Sequence, residues 1–483
     1  MGHPDDNVKA APLWIAAAIV AALATWICYD ATPGLNWGIL TAAAAAGLVL
    51  LASRKARPGS PVVLLAVTAT VIASGAAVTA NELMLVLILL STTLLLAMAM
   101  LLATAPSLER LTAGFVVIAP VAAFATAVAS ALTRFGEATR LLRSPRARAA
   151  VRGTAITLPV LVVFALLLAV ADPTFARWRD AVANILTSWD FLPRTAFFAF
   201  ILGISLGAYS HAAAGVERDE PGQREQRRWL GSGERLILLA GVASLLWLFI
   251  AVQLSYMFGN LPRITGSGIT FADYARRGFG ELTIVSSATA LLIIASERYG
   301  ERSRHSGVTR ALTLALIVAV VLILGSAFYR VILYENAYGF TLARLYGQAF
   351  MLVIAIAVGS MTLEVLGELD TRRLFRRVFG AALLILISLI YWNHEAWIAQ
   401  QNIKRFAATG KLDTGYLTRE LSLDAVPAIV RGMAALPEPA RSELRGALAK
   451  RYLNRANIFR VDWFEASLSR ARARSALETL GLP

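Results

Sequence analysis

The densest group of polar side chains in this chain lies between two long apolar stretches, one ending near residue 329 and the next beginning near residue 342. Glu335 is its one carboxylate. A charged side chain near hydrocarbon is costly unless it is paired or hydrated, so we expect Glu335 to pair with Arg330 or Arg344. Such a group either pins a helical hairpin or binds a ligand. Its members are Tyr329, Arg330, Tyr334, Glu335, Asn336, Tyr338, Thr341, Arg344, Tyr346 and Gln348.

Two further polar groups are predicted on the same side of the membrane. Tyr274, Arg277 and Glu281 belong to a segment that follows a glycine-containing loop. That segment either folds back between helices or rests at the interface as an amphipathic surface. Asp172 closes an earlier apolar stretch, where it joins the site or caps a helix start. We predict one outward-facing polar cavity lined by Asp172, Tyr274, Arg277, Glu281, Arg330, Glu335, Tyr338 and Arg344.

Signatures of catalysis and of cofactor binding are weak. The histidines have no pair at the spacing of a zinc-binding helix, and Cys28 is the single cysteine, so we predict neither a metal nor a cofactor. His394 and Glu395 are neighbours, but adjacent helical positions point apart. Gly203, Ser205 and Gly207 match the G-x-S-x-G pattern, yet they lie inside an apolar stretch, which favours close helix packing through the two glycines. The histidines are His3, His211, His305 and His394.

Eleven apolar stretches of about 16 to 25 residues must position these groups, and this length is what a bilayer-spanning helix needs. The chain is 57% hydrophobic and 16% charged, with a mean hydropathy of +0.63, which predicts an all-α polytopic membrane bundle. The net charge of +15 sits mainly in loops, so we expect lipid and not nucleic acid as the partner. The stretches are 12–29, 36–52, 61–80, 83–103, 154–171, 194–215, 234–256, 281–296, 309–329, 342–364 and 378–393.

Sidedness depends on a twelfth apolar stretch, residues 111–132, which contains Pro120. If it lies along the cytoplasmic face, the cytoplasmic segments hold 24 Lys and Arg and the short external loops hold 8. If it crosses, the counts become 19 and 13. The positive-inside rule therefore favours eleven crossings in a bacterial cytoplasmic membrane, with the N-terminus inside and the C-terminus outside.

The organisation along the chain has four parts. Membrane helices occupy residues 1–110, a cytoplasmic-side apolar segment and basic linker 111–153, and further membrane helices 154–393. Residues 394–483 are polar and show helical apolar spacing at Leu444, Leu448 and Tyr452, so we predict a small extracytoplasmic helical domain.

Several segments resemble the bacterial multipass membrane proteins known as domains of unknown function 4153 and 4173. The resemblance runs over about 152–474 and implies a fold but no activity, so no catalytic residue follows from it. Leu342 departs from the family pattern. It follows Thr341, and similar sequences often have a basic residue directly after the corresponding threonine. The segments are RGTAITLPVLVVFALLLAVADPTF from Arg152, TFADYARRGFGEL from Thr270, YENAYGFTLARLY from Tyr334, NHEAWIAQQNIKRFAATGKLDTGYL from Asn393, LSLDAVPAIV from Leu421 and SLSRARAR from Ser467.

We expect a non-enzymatic role: binding, sensing or permeation of a small, envelope-derived or lipid-linked ligand at the outward-facing cavity. One alternative is a membrane-embedded transferase or hydrolase that acts on a lipid-linked substrate, with Glu281 or Glu335 as general base and arginines holding phosphate. Another is a scaffold or accessory subunit of a membrane complex.

Overall fold

The computed structural model describes residues 10–52, 61–104, 107–142, 191–214, 230–258, 279–300, 306–367, 370–452 and 461–481, and the single positions 157, 161, 164, 177 and 459. All regular elements in these ranges are helices. Most of the predicted span 154–171 and the predicted site residues Asp172, Tyr274 and Arg277 lie outside the described residues.

Fifteen α-helices are described in these ranges, joined by short 3-10 and π turns. Helices α1 to α11 are apolar; α12 to α15 follow them and form the tail. The apolar helices are α1 Ala10–Ile27, α2 Leu35–Leu51, α3 Pro61–Ser74, α4 Glu82–Leu102, α5 Ala113–Leu142, α6 Phe191–Ala213, α7 Ser232–Phe258, α8 Phe279–Tyr299, α9 Ser306–Tyr338, α10 Leu342–Leu366 and α11 Thr371–Tyr391. The tail helices are α12 His394–Thr409, α13 Val426–Met433, α14 Glu438–Tyr452 and α15 Leu468–Glu478.

Eight of the described helices, α4 to α11, are long and apolar enough to cross a membrane, and α1 to α3 are shorter apolar helices. The chain is therefore an all-α polytopic membrane protein, as its composition predicted. Helix α11 begins seven residues before the predicted span. The Asp370 carboxylate caps it by accepting from the backbone N–H groups of Arg372 (2.8 Å) and Arg373 (3.3 Å), so the arginine-rich turn is helical too.

The tail packs against one end of the membrane bundle, which we call the tail end. There the Leu35 N–H donates to the Ala466 carbonyl (3.1 Å), the Thr79 hydroxyl donates to Asp424 (2.5 Å), and the Phe340 N–H donates to Asn402 (2.8 Å). These contacts come from the α1–α2, α3–α4 and α9–α10 connections. Three connections that are far apart in sequence thus form one platform for the tail.

The opposite end, which we call the basic end, holds the start of α9, the end of α10 and the start of α11. Arg310 in the first turns of α9 donates to the Leu366 carbonyl (2.5 Å). The buried Glu364 carboxylate binds the guanidinium groups of Arg373 (2.7 Å) and Arg377 (2.8 Å). Several arginines thus gather at this end of the bundle.

Helix α5 corresponds to the apolar stretch that decides the topology. It follows α4 after a short connection. Arg134 Nε donates to Ser210 Oγ in the last turn of α6 (2.8 Å), and Phe135 contacts Trp14 in the first turns of α1 (ring centroids 5.2 Å). The C-terminal part of α5 is therefore at the basic end, and the length and composition of the helix allow a crossing.

Close packing fastens α5 to α6. A Cβ atom at Gly207 would lie 1.9 Å from the Ala127 carbonyl oxygen, so only glycine allows this approach. Gly203 has no neighbour within 4 Å of a Cβ position, so the predicted contact through both glycines is made by Gly207 alone.

The tail has a core of its own, and the spacing of its apolar residues predicted part of it. Leu444, Leu448 and Tyr452 are buried on one face of α14. They pack with Ile429 of α13 and Leu477 of α15. Because Leu345 at the start of α10 belongs to the same core, the tail and the membrane helices share apolar packing at their boundary.

Candidate functional site: a basic cavity at the tail end

The turn between α9 and α10 is held by a tail side chain. Asn402 of α12 accepts from the Phe340 N–H and donates to the Phe340 carbonyl, both at 2.8 Å. Gly339 precedes this pair with φ of +91°, a conformation that favours glycine. A Cβ atom there would lie 2.5 Å from Asn402 Oδ1. The sequence folds into this turn because both the backbone angle and the space require glycine.

Two arginines satisfy carbonyl groups that the end of α9 leaves without intrahelical partners. Arg405 of α12 donates from Nε to the Asn336 carbonyl (3.0 Å) and from a terminal nitrogen to the Ala337 carbonyl. Arg344 of α10 donates to the Gly339 carbonyl. Positive charge is favourable at a helix C-terminus, so both guanidinium groups are fixed there with donors left over.

The first turn of α10 is capped from the tail. The Leu342 N–H donates to the Tyr416 hydroxyl oxygen (2.8 Å), whereas Thr341, at the N-cap position, makes no side-chain capping bond. Burial is the main cause that raises the pKa of Tyr416 to about 12, so its hydroxyl stays protonated at neutral pH. The neutral hydroxyl can therefore still donate a hydrogen bond of its own.

A cavity of about 260 Å³ opens between this turn and the tail. Its charged lining is mostly basic: Arg344, Arg405 and Lys411 face one carboxylate, Asp413, which already accepts from the Tyr416 N–H (2.8 Å). Aromatic rings form much of the remaining wall. The lining tyrosines are Tyr334, Tyr338 and Tyr416.

Aromatic contacts orient one of the cations. The Arg344 guanidinium lies 4.1 Å from the centroid of the Tyr334 ring, a cation–π geometry, and the Tyr334 and Tyr338 rings are 4.7 Å apart. The sequence predicted that these tyrosines share a helical face. The cavity can therefore present a pre-positioned guanidinium to an anion.

Of the eight predicted site residues, Tyr338 and Arg344 line this cavity. Glu335 is buried one turn before the end of α9, where it accepts from Gln348 Nε2 (3.0 Å), and it is not among the lining residues. Gln348 belonged to the predicted polar group but not to the predicted lining.

Two further predicted residues, Arg330 and Glu281, are described and are not among those that line this cavity. Arg330 is half-buried two turns before Tyr338 on α9, and Glu281 is exposed in the first turn of α8. Asp172, Tyr274 and Arg277 lie outside the described residues. A single cavity shared by all eight therefore stays a prediction.

The tail supplies cavity residues that the sequence reasoning missed. Asn402, Arg405, Lys411, Asp413 and Tyr416 all line the cavity. Each belongs to the segment NHEAWIAQQNIKRFAATGKLDTGYL, so the motif was visible in the sequence. What the sequence did not indicate was that this segment packs against YENAYGFTLARLY.

Two buried carboxylates bind the tail to the α3–α4 connection. Glu395 accepts from the Asn81 amide and from the Ser422 N–H (2.6 Å). Asp424 accepts from the Thr79 hydroxyl (2.5 Å) and the Ala80 N–H (3.0 Å). Buried carboxylates need such partners, so these bonds favour one docking position for the tail.

His394 joins the tail to α10. Its Nε2 lies 3.0 Å from the Tyr346 hydroxyl, while Nδ1 faces the carbonyl of Leu389 at 3.0 Å. Because a carbonyl only accepts, Nδ1 carries the proton and Nε2 accepts from the tyrosine. His394 and Glu395 thus point to different partners, as expected for adjacent helical positions. Within the described residues, no group of three His, Cys, Asp or Glu side chains could hold a metal ion.

The fold and these contacts define a multipass helical membrane protein whose helical tail closes over one end of the bundle. The family model described as Domain of unknown function (DUF4153) matches residues 59–432, and the chain belongs to this family. The match begins earlier than the resemblance suggested, at the start of α3, and ends within α13. It includes both motifs that form the cavity. No curated protein and no solved structure matches the chain.

Proposed function

We propose that this protein binds an anionic, phosphate-bearing ligand in the basic cavity, without converting it chemically. The observation that carries the proposal is the placement of Arg344, Arg405 and Lys411 around one space with a single opposing carboxylate. Guanidinium groups match the geometry of phosphate oxygens, and an ammonium group adds a compact positive charge. The activity and ligand of this family are not established, so the chemistry of the cavity is the guide.

Helix geometry adds to the positive character of the cavity. Thr341 and the start of α10 form part of the wall, and a helix N-terminus favours a nearby negative charge. The opposing negative end of α9 already has Arg344 and Arg405 as partners. The electrostatic balance therefore favours an anion over a cation.

The size of the cavity limits the ligand. Its volume of about 260 Å³ is below the range of roughly 300–1,000 Å³ that is usual for drug-sized ligands. A phosphate or diphosphate group fits such a space, whereas a whole lipid does not. A lipid-linked ligand would keep its hydrocarbon chain outside the cavity.

Binding without turnover agrees with the positions of the two candidate general bases. Glu281 and Glu335, the alternatives for the general base of an enzyme, are not among the cavity-lining residues. Asp413 does line the cavity, but its carboxylate accepts from the Tyr416 N–H. A general base must come within hydrogen-bond reach of the proton that it removes.

The proposed location is the bacterial cytoplasmic membrane, with the tail end outside. The support is the excess of Lys and Arg in the segments assigned to the cytoplasm, 24 against 8 in the short external loops. An extracytoplasmic cavity would meet envelope-derived phosphates.

The test is a titration of the purified, detergent-solubilised protein with pyrophosphate, measured by isothermal titration calorimetry. The Lys411 ammonium has no hydrogen bond or ion pair with a described residue, so Lys411→Ala should preserve the fold. We expect it to weaken pyrophosphate binding about tenfold, the loss of one charge-assisted hydrogen bond. Lys404→Ala is the matched control, because Lys404 is exposed on α12 and does not line the cavity.

The outcomes separate the proposal from the alternatives. Equal affinity of the Lys411→Ala and Lys404→Ala variants, or no pyrophosphate binding at all, would overturn it. A short-chain phosphatidic acid, dihexanoyl, serves as a second probe: tighter binding than pyrophosphate indicates a lipid-linked ligand, and weaker binding indicates a free phosphate. Release of inorganic phosphate from pyrophosphate would favour an enzyme.

A further inference from the structure

A second, larger cavity of about 620 Å³ lies among the membrane helices toward the basic end, away from the cavity proposed for phosphate. Helices α8, α10 and α11 and the start of α5 surround it. Most of its wall is apolar, with Leu291, Ile294, Ile354 and Met361 as examples. Its volume falls within the range of roughly 300–1,000 Å³ that is typical of small-molecule sites.

The length of this cavity matches one leaflet of a bilayer. It runs along α10 from Phe350 to Met361, and eleven residues at about 1.5 Å each give about 16 Å. The hydrocarbon core of a bilayer is about 30 Å thick, so half of it is about 15 Å. An acyl chain entering from the leaflet at the basic end would fill the cavity lengthwise.

The opening at the basic end is polar and positive. Thr112, Thr371 and Arg372 belong to the lining there. The neighbouring Arg373 and Arg377 bind the buried carboxylate of Glu364, but the Arg372 guanidinium makes no hydrogen bond or ion pair with a residue in the described ranges. The side chain is exposed at the mouth of an apolar cavity.

We propose that this cavity holds one acyl chain of an anionic glycerophospholipid, whose head-group phosphate binds Arg372. Bilayer hydrocarbon is as apolar as the cavity wall, so the chain gains little by moving from one to the other. Selectivity must therefore come from the head group, and the exposed arginine at the mouth favours a negative one. The site is a structural lipid site, independent of the function proposed for the tail end.

The test is native mass spectrometry of the full-length protein, delipidated in detergent and titrated with phosphatidylglycerol or phosphatidylcholine. We expect one phosphatidylglycerol to be retained per chain, with about five- to tenfold preference over phosphatidylcholine, as one arginine near a head group provides. Arg372→Gln should remove that preference. Arg310→Gln is the matched control, since it removes one charge at the same end without lining the cavity.

A second variant tests the acyl chain separately from the head group. Ala357 lines the cavity, and Ala357→Phe should fill part of it and reduce retention of both lipids. Lys411→Ala at the tail end should change neither result. The proposal is overturned if both lipids bind alike to the unmodified protein, if the preference survives Arg372→Gln, or if Ala357→Phe retains both lipids as well as the unmodified protein does.

Discussion

Asn81 performs two structural tasks with one side chain. Its carbonyl oxygen accepts from the Met84 N–H (2.9 Å) and caps α4, while its amide nitrogen donates to the buried Glu395 carboxylate of the tail. Desolvation by burial raises the pKa of Glu395, which shows how strongly this carboxylate depends on its few partners. The same residue thus starts a membrane helix and fastens the tail to it.

We predict that Asn81→Ala lowers the stability of the protein markedly. Loss of the cap costs about 0.5–2 kcal/mol, and an unpaired buried acceptor costs about 1–3 kcal/mol more. Thermal unfolding of the detergent-solubilised protein measures the effect. Asn336→Ala is the control, because Asn336 is exposed and bonds only through its backbone. Equal melting temperatures of the two variants would refute the role of Asn81.

Burial of the His394 side chain should make the stability of the folded protein depend on pH. Burial is the main cause that lowers the pKa of His394 below its ordinary value near 6.5. The unfolded chain therefore binds a proton that the folded protein does not, so stability is present above that ordinary value and falls as the pH drops through it. Glu395, with its raised pKa, acts in the opposite direction and gains stability from protonation.

We predict that the melting temperature falls between about pH 7.5 and about pH 5.5, and that His394→Gln reduces this fall. Glu395 is present in both proteins, so its opposing contribution cancels to first order in the comparison. Glutamine retains an oxygen that can accept from Tyr346. An identical pH dependence in the variant would show that His394 is not the titrating group.

At the scale of elements, the α9–α10 hairpin is shaped by two sequence motifs that meet in space. Gly339 allows the chain to turn, Asn402 pairs with the backbone of Phe340, and Arg405 satisfies carbonyls at the end of α9. These contacts also set the position of Arg344 at the cavity wall. The conformation of the α9–α10 turn therefore determines where Arg344 lies in the wall of the basic cavity.

We predict that Gly339→Ala destabilises the protein by more than about 1 kcal/mol, since alanine is strained at positive φ and its Cβ would meet Asn402. It should also weaken pyrophosphate binding by moving Arg344. Gly325→Ala, within α9, is the control, because a Cβ there has nothing within 4 Å. Equal unfolding temperatures and affinities in the two variants would contradict this coupling.

At the scale of the whole molecule, the tail bridges connections that are distant in sequence. It binds the α1–α2 connection through Ala466, the α3–α4 connection through Asp424 and the α9–α10 connection through Asn402. Docking of the tail therefore holds the early helices, α1 to α4, and the later helices α9 and α10 together at the tail end.

The proposed sidedness makes a prediction for intact cells. In a Cys28→Ala background, Ala435→Cys places a thiol in an exposed part of the tail, and Glu109→Cys places one at the basic end, after α4. We expect a membrane-impermeant maleimide to label the cysteine at 435 and not the one at 109. The reverse pattern would place the tail in the cytoplasm and invert the proposed orientation.

The length of the apolar stretches was the feature of the sequence that predicted most of the fold. Stretches of apolar residues long enough to span a bilayer predicted ten helices that the structure describes, because in lipid the backbone must satisfy its own hydrogen bonds. Apolar spacing likewise predicted the buried face of α14. The sequence did not predict the early start of α11, because four arginines in its first turns are unusual in a membrane helix. In the structure Asp370 caps this segment and Glu364 binds two of its arginines.

The cavities depended on contacts between residues far apart in the chain, and local pattern carries no information about those. Glu335 was predicted to pair with Arg330 or Arg344, but the sequence did not indicate that Glu335 accepts from Gln348 or that Arg344 lies over the Tyr334 ring. Nothing in the sequence singled out Lys411, and the docked tail places it in the lining of the same cavity as Arg344. The sequence by itself determined that the chain folds as helices in lipid, because burial of apolar length is a local property. Only the tertiary structure decided which charges face each other, because that depends on how the tail docks.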